Sequence, residues 1–230
     1  MALDEELYIK LQPIFNVEVL SVNYVEVLIR KHGETLGIAN MLDRLEKSNK
    51  GMDLDMFVIK KASEVIKENP TYKSRINVNI CKSTLESEMA YDTLLGVLDK
   101  EGVSYDRIVF EINEDTRFDN QNVINNIRAL ARKGICIAID DFGKGNTSLQ
   151  FISRMPIRMV KFDKVYLRDT NIRIANKLVS SMHYLGIDTV IEGVETAEHL
   201  EMARRVGYNN IQGYIVSRPI STDWFKLMYT

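Results

Sequence analysis

The stretch Ile135-Cys136-Ile137-Ala138-Ile139-Asp140-Asp141-Phe142-Gly143 reads as a buried strand that ends in two adjacent carboxylates. It is short, apolar and partly β-branched, and it follows a glycine, the pattern of a strand covered on both faces. Two carboxylates side by side at the end of such a strand raise each other's pKa, and desolvating them unpaired costs several kcal/mol. A bound cation is the simplest remedy, so the pair points to metal chemistry.

Just upstream, Asn122–Lys133 places Val123, Ile124, Ile127, Leu130 and Ala131 on one helical face, and Gly134 follows as the residue that ends the helix. Helices and strands of this kind alternate along the chain. The strand candidates are Leu7–Phe15, Val19–Ile29, Ile76–Cys81, Ile108–Ile112, Cys136–Asp140, Met159–Phe162, Thr189–Glu192 and Asn210–Tyr214. Helix candidates lie near 53–68, 84–100, 119–133, 146–154, 169–185, 196–206 and 221–229, with a further short helix at Ala39–Lys47. Thr196 is placed to cap Ala197–Val206 and Gly207 to end it, and Gly186 ends Ile172–Leu185 in the same way. The alternation predicts an α/β fold, a TIM-like (β/α)8 barrel, which needs about 200 residues or more. A doubly wound open sheet is the alternative. Only Asn16-Val17-Glu18 separates the first two strand runs, too little for a parallel crossover, so one antiparallel strand is expected near the N-terminus.

The 230 residues are 45% hydrophobic and 27% charged, and 30 basic against 32 acidic residues leave a formal net charge of −2. That is a globular composition, and it speaks against a general surface for nucleic-acid polymers or membranes. No apolar run of about 18 residues occurs, and Met1–Glu6 is acidic, unlike a secretory signal. No low-complexity segment, proline-rich linker or composition break divides the chain, so residues 1–230 read as one domain in a cytoplasmic setting. Cys81 and Cys136 show no metal-binding spacing and read as two buried thiols. Trp224 and Tyr229, in the last helix candidate, read as packing residues.

Nearly every strand after the first delivers a polar group near its C-terminal end. In order these are Glu26, Asn79, Glu111 with Glu114 just beyond, Asp140 and Asp141, Lys161 and Asp163, Glu192 and Glu195, and Gln212. In a barrel, parallel strand ends open onto the one face where active sites lie. A single buried carboxylate is ordinarily a structural hydrogen-bonding group, but this many acids with one lysine require counter-charge. The donors are all oxygens, while His32, His183 and His199 fall in loop or helix segments, so Mg2+, Mn2+ or Ca2+ suits the set. Two adjacent aspartates can serve two metals about 4 Å apart, a geometry suited to phosphodiester hydrolysis. Lys161 alone could also be a Schiff-base nucleophile, although neighbouring acids favour its charged form.

Read as motifs, the same segments are Gln12-Pro13-Ile14; Glu26-Val27-Leu28 followed by Arg30; Val78-Asn79-Ile80-Cys81; Glu111-Ile112-Asn113-Glu114; Asp140-Asp141-Phe142-Gly143-Lys144-Gly145-Asn146-Thr147-Ser148-Leu149; Lys161-Phe162-Asp163; Glu192-Gly193-Val194-Glu195-Thr196; Gln212-Gly213-Tyr214; and Ser217-Arg218-Pro219. In this order the chain resembles the EAL domain, the phosphodiesterase domain that cleaves cyclic di-GMP. The resemblance runs from Gln12 to Pro219. It departs at Val27 for Ala, Cys81 for Ser, Asn113 for Thr, Phe162 for Ile, and at Lys144, Asn146 and Thr147 in the D-D-F-G-T-G-Y-S-S-L segment.

The resemblance implies that Glu26, Asn79, Glu111 and Asp140 hold one metal and Asp141 a second, the cofactor being Mg2+ or Mn2+ with Ca2+ inhibitory. Glu192 is then the group at the attacking water and Lys161 positions or acidifies that water. Glu195 supports the site, and Glu114 orders the loop after Asp141, a loop that in this family links the site to dimerisation. Gln12, Leu28, Arg30, Asp163, Gln212 and Pro219 contact the nucleotide or line its pocket. The implied reaction is hydrolysis of cyclic di-GMP to linear pGpG by a homodimer; the alternative is a silent cyclic di-GMP receptor or protein-interaction module. On their own, Arg30 also reads as a surface ion pair, Glu195 as a helix N-terminal acid and Glu114 as a solvated loop charge. Lys144 introduces a positive charge beside the expected second cation, which weakens that ion if it points inward.

Overall fold

Eight strands hydrogen-bond in sequence order and close into a barrel: β1 (Leu7–Asn16), β2 (Val22–Lys31), β3 (Arg75–Ile80), β4 (Ile108–Asn113), β5 (Cys136–Phe142), β6 (Met159–Phe162), β7 (Asp188–Ile191) and β8 (Asn210–Ile211). The computed structural model describes residues 6–33, 45, 48, 50–116, 118–144 and 148–229. The helix expected at Ala39–Lys47 falls outside them apart from Leu45, as do Gly145, Asn146 and Thr147. The helices are α1 (Gly51–Glu68), α2 (Lys82–Glu86), α3 (Ala90–Glu101), α4 (Gln121–Arg132), α5 (Leu149–Arg154), α6 (Ile172–Tyr184), α7 (Ala197–Val206) and α8 (Thr222–Tyr229).

Strand β1 runs antiparallel to both of its neighbours, β2 and β8, and every other adjacent pair is parallel. The short connection after Asn16 dictates this. The Asn16 side-chain carbonyl accepts from the N–H groups of Glu18 and Val19 at 3.0 and 3.1 Å, and Leu20 adopts a left-handed φ of 51°. That asparagine-held turn consumes Val19, so β2 begins at Val22 rather than where its apolar run begins.

Strand alternation sorts the core into two bodies. Outward-facing residues such as Ile108, Phe110 and Ile112 join the large cluster beneath the helices, with Leu54, Val58, Leu94, Ile127 and Val179. The intervening residues Val109, Ala138, Met159 and Val190 pack with Ile14, Tyr24 and Cys136 in a separate small cluster inside the barrel. Two residues further along the same inward faces stand Glu111, Asp140, Lys161 and Glu192. The barrel interior is therefore apolar below and charged above.

Helix boundaries follow local hydrogen bonding. Asn120, Ser148 and Thr196 each cap the helix they precede, accepting from Asn122, Phe151 and His199 N–H. Gly207 ends α7 at φ 91°. The single helix expected over 84–100 is two, because Asn126 donates to the carbonyls of Leu85 and Ser87 and Asn122 to that of Glu86, giving the end of α2 its partners outside the helix. Cys81 is half-buried and caps α2 instead of extending β3, its N–H held by the Asp55 carboxylate. Trp224 lies exposed on α8, whereas Phe225 fills the core and Tyr229 packs on Phe15 and Phe225. No described helix is long and apolar enough to cross a membrane.

Strand β8 stops at Ile211, short of the expected Tyr214, because the chain folds over the segment after β7. Val194 donates to the Gln212 carbonyl and accepts from Ile215, each at 3.1 Å. A Cβ on Gly213 would lie 2.1 Å from the Val194 carbonyl oxygen and 2.4 Å from its nitrogen, so only glycine permits the approach. Gly213→Ala is expected to cost about 3 kcal/mol or more, read as a lower melting temperature with the far-UV spectrum retained; an unchanged melting temperature would show that this contact is not a constraint.

Candidate active site

Lys161 projects from β6 into the charged end of the barrel and is fully buried. Its ammonium lies 3.1 Å from Glu26 Oε2 on β2, 3.0 Å from Glu111 Oε2 on β4, 3.0 Å from Asp140 Oδ1 on β5 and 2.9 Å from Glu192 Oε1 just past β7. An amide layer supports the acids. Asn79 and Gln212 donate to the two Glu26 oxygens at 3.0 and 2.7 Å, Asn77 donates to Glu111 Oε1 at 2.7 Å, and Gln212 also reaches Gln12 at 3.3 Å.

Four carboxylates facing one ammonium produce opposing pulls. Burial by itself would lower the Lys161 pKa, but Asp140, Glu111, Glu192 and Glu26 together raise it well above the ordinary lysine value. Burial also acts to raise Glu26, yet Lys161 and the Gln212 and Asn79 amides hold it below the ordinary glutamate value. The remaining three go the other way. Burial, then the Glu26 charge, raises Glu111 strongly; burial raises Asp140; and burial lifts Glu192 to about 8. One ammonium neutralises the cluster only in part. A lysine held in its charged form is unavailable for Schiff-base formation, which needs the free amine.

The aspartates of β5 take separate positions. Asp140 continues the ladder opposite Asn113, and its carbonyl accepts from Glu114 N–H at 3.1 Å. Asp141 sits where the pairing of β5 with β6 shifts register, at a left-handed φ of 58° that non-glycine residues adopt at a cost. Its carboxylate pairs with Lys144 at 2.5 Å, and Lys144 also reaches Asp163 at 2.8 Å. The buried Glu114 accepts from Gly143 N–H at 2.8 Å, so it fastens the end of β4 to the turn after the aspartates instead of standing in solvent.

Beside this cluster opens a cleft of about 290 Å³ that brings together Gln12, Glu26, Leu28, Glu192, Glu195, Gln212 and Tyr214. Glu195 is exposed at its edge, with its N–H directed at His199 Nδ1. Asp163 stands apart, capping the following turn at Val165 N–H. Arg30 does not line the cleft; it donates to the Ile29 carbonyl at 2.7 Å and makes no ion pair among the described residues. Pro219 is half-buried, next to the Ile220–Leu11 bridge. Asn77 was not singled out from the sequence, and Tyr214 stood in the Gln212-Gly213-Tyr214 motif without a role. The signal for Asn77 was its place two residues before Asn79 on the same strand face; in the structure Arg218 lies 4.2 Å over the Tyr214 ring. A larger cleft, about 760 Å³, lies near the opposite strand ends among Arg75, Arg128, Arg154 and Arg158 and contains none of these groups.

Among the described residues, no three His, Cys, Asp or Glu side chains form a ready metal cage, because the Lys161 ammonium occupies their focus. The donor set nonetheless fits a hard divalent cation. It is all oxygen and its four carboxylates exceed the single Lys161 ammonium that faces them.

A family model described as the EAL domain matches residues 1–219. The chain is 29% identical to the cyclic di-GMP phosphodiesterase NbdA of Pseudomonas aeruginosa over 94% of its own length and 29% of that protein's. It thus spans less than a third of that relative. Among solved structures, an EAL domain protein of Listeria monocytogenes superposes with a TM-score of 0.87 at 25% identity, covering 98% of this chain and 93% of the other. The Klebsiella pneumoniae protein BlrP1, in complex with manganese and cyclic di-GMP, superposes with a TM-score of 0.83 at 26% identity, covering 94% and 56%.

The raised acids set a pH dependence. Between the ordinary carboxylate range and about 8, the folded ion-free protein holds a proton at Glu192 that the unfolded chain has released, and burial shifts Glu111 and Asp140 in the same direction. Stability from these groups is present at low pH and is lost as pH rises through that window. The lowered Glu26 and raised Lys161 act outside it. With chelator present, the melting temperature is expected to fall from pH 5.5 to 8.5, and Mg2+ or Mn2+ to raise it more at pH 8.5 than at 5.5. A melting temperature that climbs across this range without added ion would contradict the electrostatic account.

Proposed function

The chain belongs to the EAL domain family, and from that premise we propose that it hydrolyses cyclic di-GMP to linear pGpG with the help of divalent cations. The observation that carries this reading is the convergence of Glu26, Glu111, Asp140 and Glu192 on one point at the barrel mouth, beside a cleft lined in part by the Gln12 and Gln212 amides.

In this reading Glu26, Asn79, Glu111 and Asp140 hold one ion and Asp141 a second, with Mg2+ or Mn2+ as the cofactor. Bound there, the ions supply charge stabilisation at phosphorus and a more acidic attacking water. The chain's own groups do the rest. Gln212 and Asn79 fix the Glu26 carboxylate so that its oxygens keep their direction. Lys161 keeps its proton and draws the ends of four strands toward one centre, and beside an anionic phosphate it is a point of positive charge. Glu192, at the open side of the cluster and lining the cleft, is placed to take the proton from the attacking water. Leu28 and Tyr214 offer apolar and aromatic surface to a guanine, and Gln12 and Gln212 offer amides. Glu114 holds the turn that carries Asp141.

A receptor that binds cyclic di-GMP without cutting it is the second reading. One observation favours it: Lys144 already occupies the Asp141 carboxylate. Incubation of the purified protein with cyclic di-GMP and Mg2+ or Mn2+, followed by chromatography, tests the choice. We expect pGpG to accumulate, chelator to stop it, and Glu26→Gln to lower kcat by about 100-fold or more. Tight binding of cyclic di-GMP without product in either metal would replace the enzyme reading with the receptor.

A further inference from the structure

We infer that Lys144 is an internal competitor for the second divalent ion: its ammonium holds the Asp141 carboxylate, so the domain takes one ion tightly and a second only by pushing Lys144 off Asp141. This rests on the reading of Asp141 as a ligand of the second ion.

Lys144 is not a loose surface lysine whose contact arises by chance. Its backbone N–H closes a turn onto the Asp141 carbonyl at 3.1 Å, which sends the side chain back over the residue three positions before it. The turn is fixed from several sides. Asp141 lies in the left-handed region, and Gly143 donates to the buried Glu114. Gly143 itself has φ 105°, and a Cβ there would lie 2.3 Å from the Tyr166 ring. The second anchor, Asp163, is also oriented, since its other oxygen accepts from Val165 N–H at 2.8 Å. Lys144 therefore spans two carboxylates that the fold has already aimed.

An ion arriving at Asp141 meets a like charge in contact with the oxygen it needs. It must share that oxygen with an ammonium or displace it, and either course weakens it relative to a site with an uncharged residue at position 144. Lys144 is half-exposed, so water screens part of this repulsion. Asp163, already 2.8 Å from the ammonium, offers the displaced lysine a second carboxylate. The ions at Asp140 and Asp141 are then unequal, and the inequality originates in one residue.

Manganese binding measures this directly, without substrate. Chelator-treated native protein, Lys144→Thr and Lys144→Arg are titrated with Mn2+ by calorimetry and followed by electron paramagnetic resonance. The native protein should bind one ion tightly and a second about tenfold or more weakly. Lys144→Thr should tighten the second ion by a similar factor and give the spectrum of a coupled manganese pair at lower metal concentration, while Lys144→Arg stays close to native. Two equal sites in the native protein, or a second site unmoved by Lys144→Thr, would overturn the inference and leave the functional reading intact. Failure of all three proteins to bind any ion would overturn both.

Discussion

Everything at the top of this barrel depends on one buried ammonium. Glu26, Glu111, Asp140 and Glu192 come from four different places on the ring of strands, and Lys161 touches all of them. Without it, the cluster would be uncompensated charge in a low-dielectric interior, where removing one partner of a buried pair costs about 3–5 kcal/mol. The contact also fixes register. Side chains alternate along a strand, so a one-residue slip of β6 would turn Lys161 outward and draw its apolar neighbours into the charged layer.

The same alternation divides labour along each strand. Val109, Ala138, Met159 and Val190 form the apolar floor, and residues two positions further on form the charged layer above it. The floor keeps water from the lower barrel and supports the carboxylates from beneath. The amides then fill the acceptor positions that Lys161 leaves open: two on Glu26 and one on Glu111. A polar group in this layer is cheap to bury only because its partner is already in place.

Much of this was legible in the sequence because it follows from short-range rules. The three residues Asn16-Val17-Glu18 between the first two strand runs settled the antiparallel direction of β1, and polar groups ending apolar runs named the acids of the mouth. Boundaries were misjudged wherever a side chain or a distant backbone overrode the local pattern: Asn16 shortened β2, Asn122 and Asn126 divided one helix into two, and Val194 cut off β8. The meeting of the four acids at a single nitrogen was beyond reach, because it depends on the closure of the ring and not on any stretch of chain. Lys144 was visible as a charge, but its target was not; the left-handed turn at Asp141 that aims it has no sequence signature.

The seam of the barrel lies where β1 meets β8, and the bridge from Leu11 to Ile220 lies beside it. Gln12 and Gln212 meet across that seam, and both face the cleft. The wall of the cleft is thus completed by two residues that lie 200 positions apart in the chain. Contacts of such sequence separation are slow to form, because the loop between them must be closed first. Glu26, Glu111 and Asp140 lie on strands that pair in sequence order, whereas the cleft gains its second wall only where β8 closes onto β1. The geometry of the cleft is thereby tied to closure of the whole ring, and no part of the ring forms it alone.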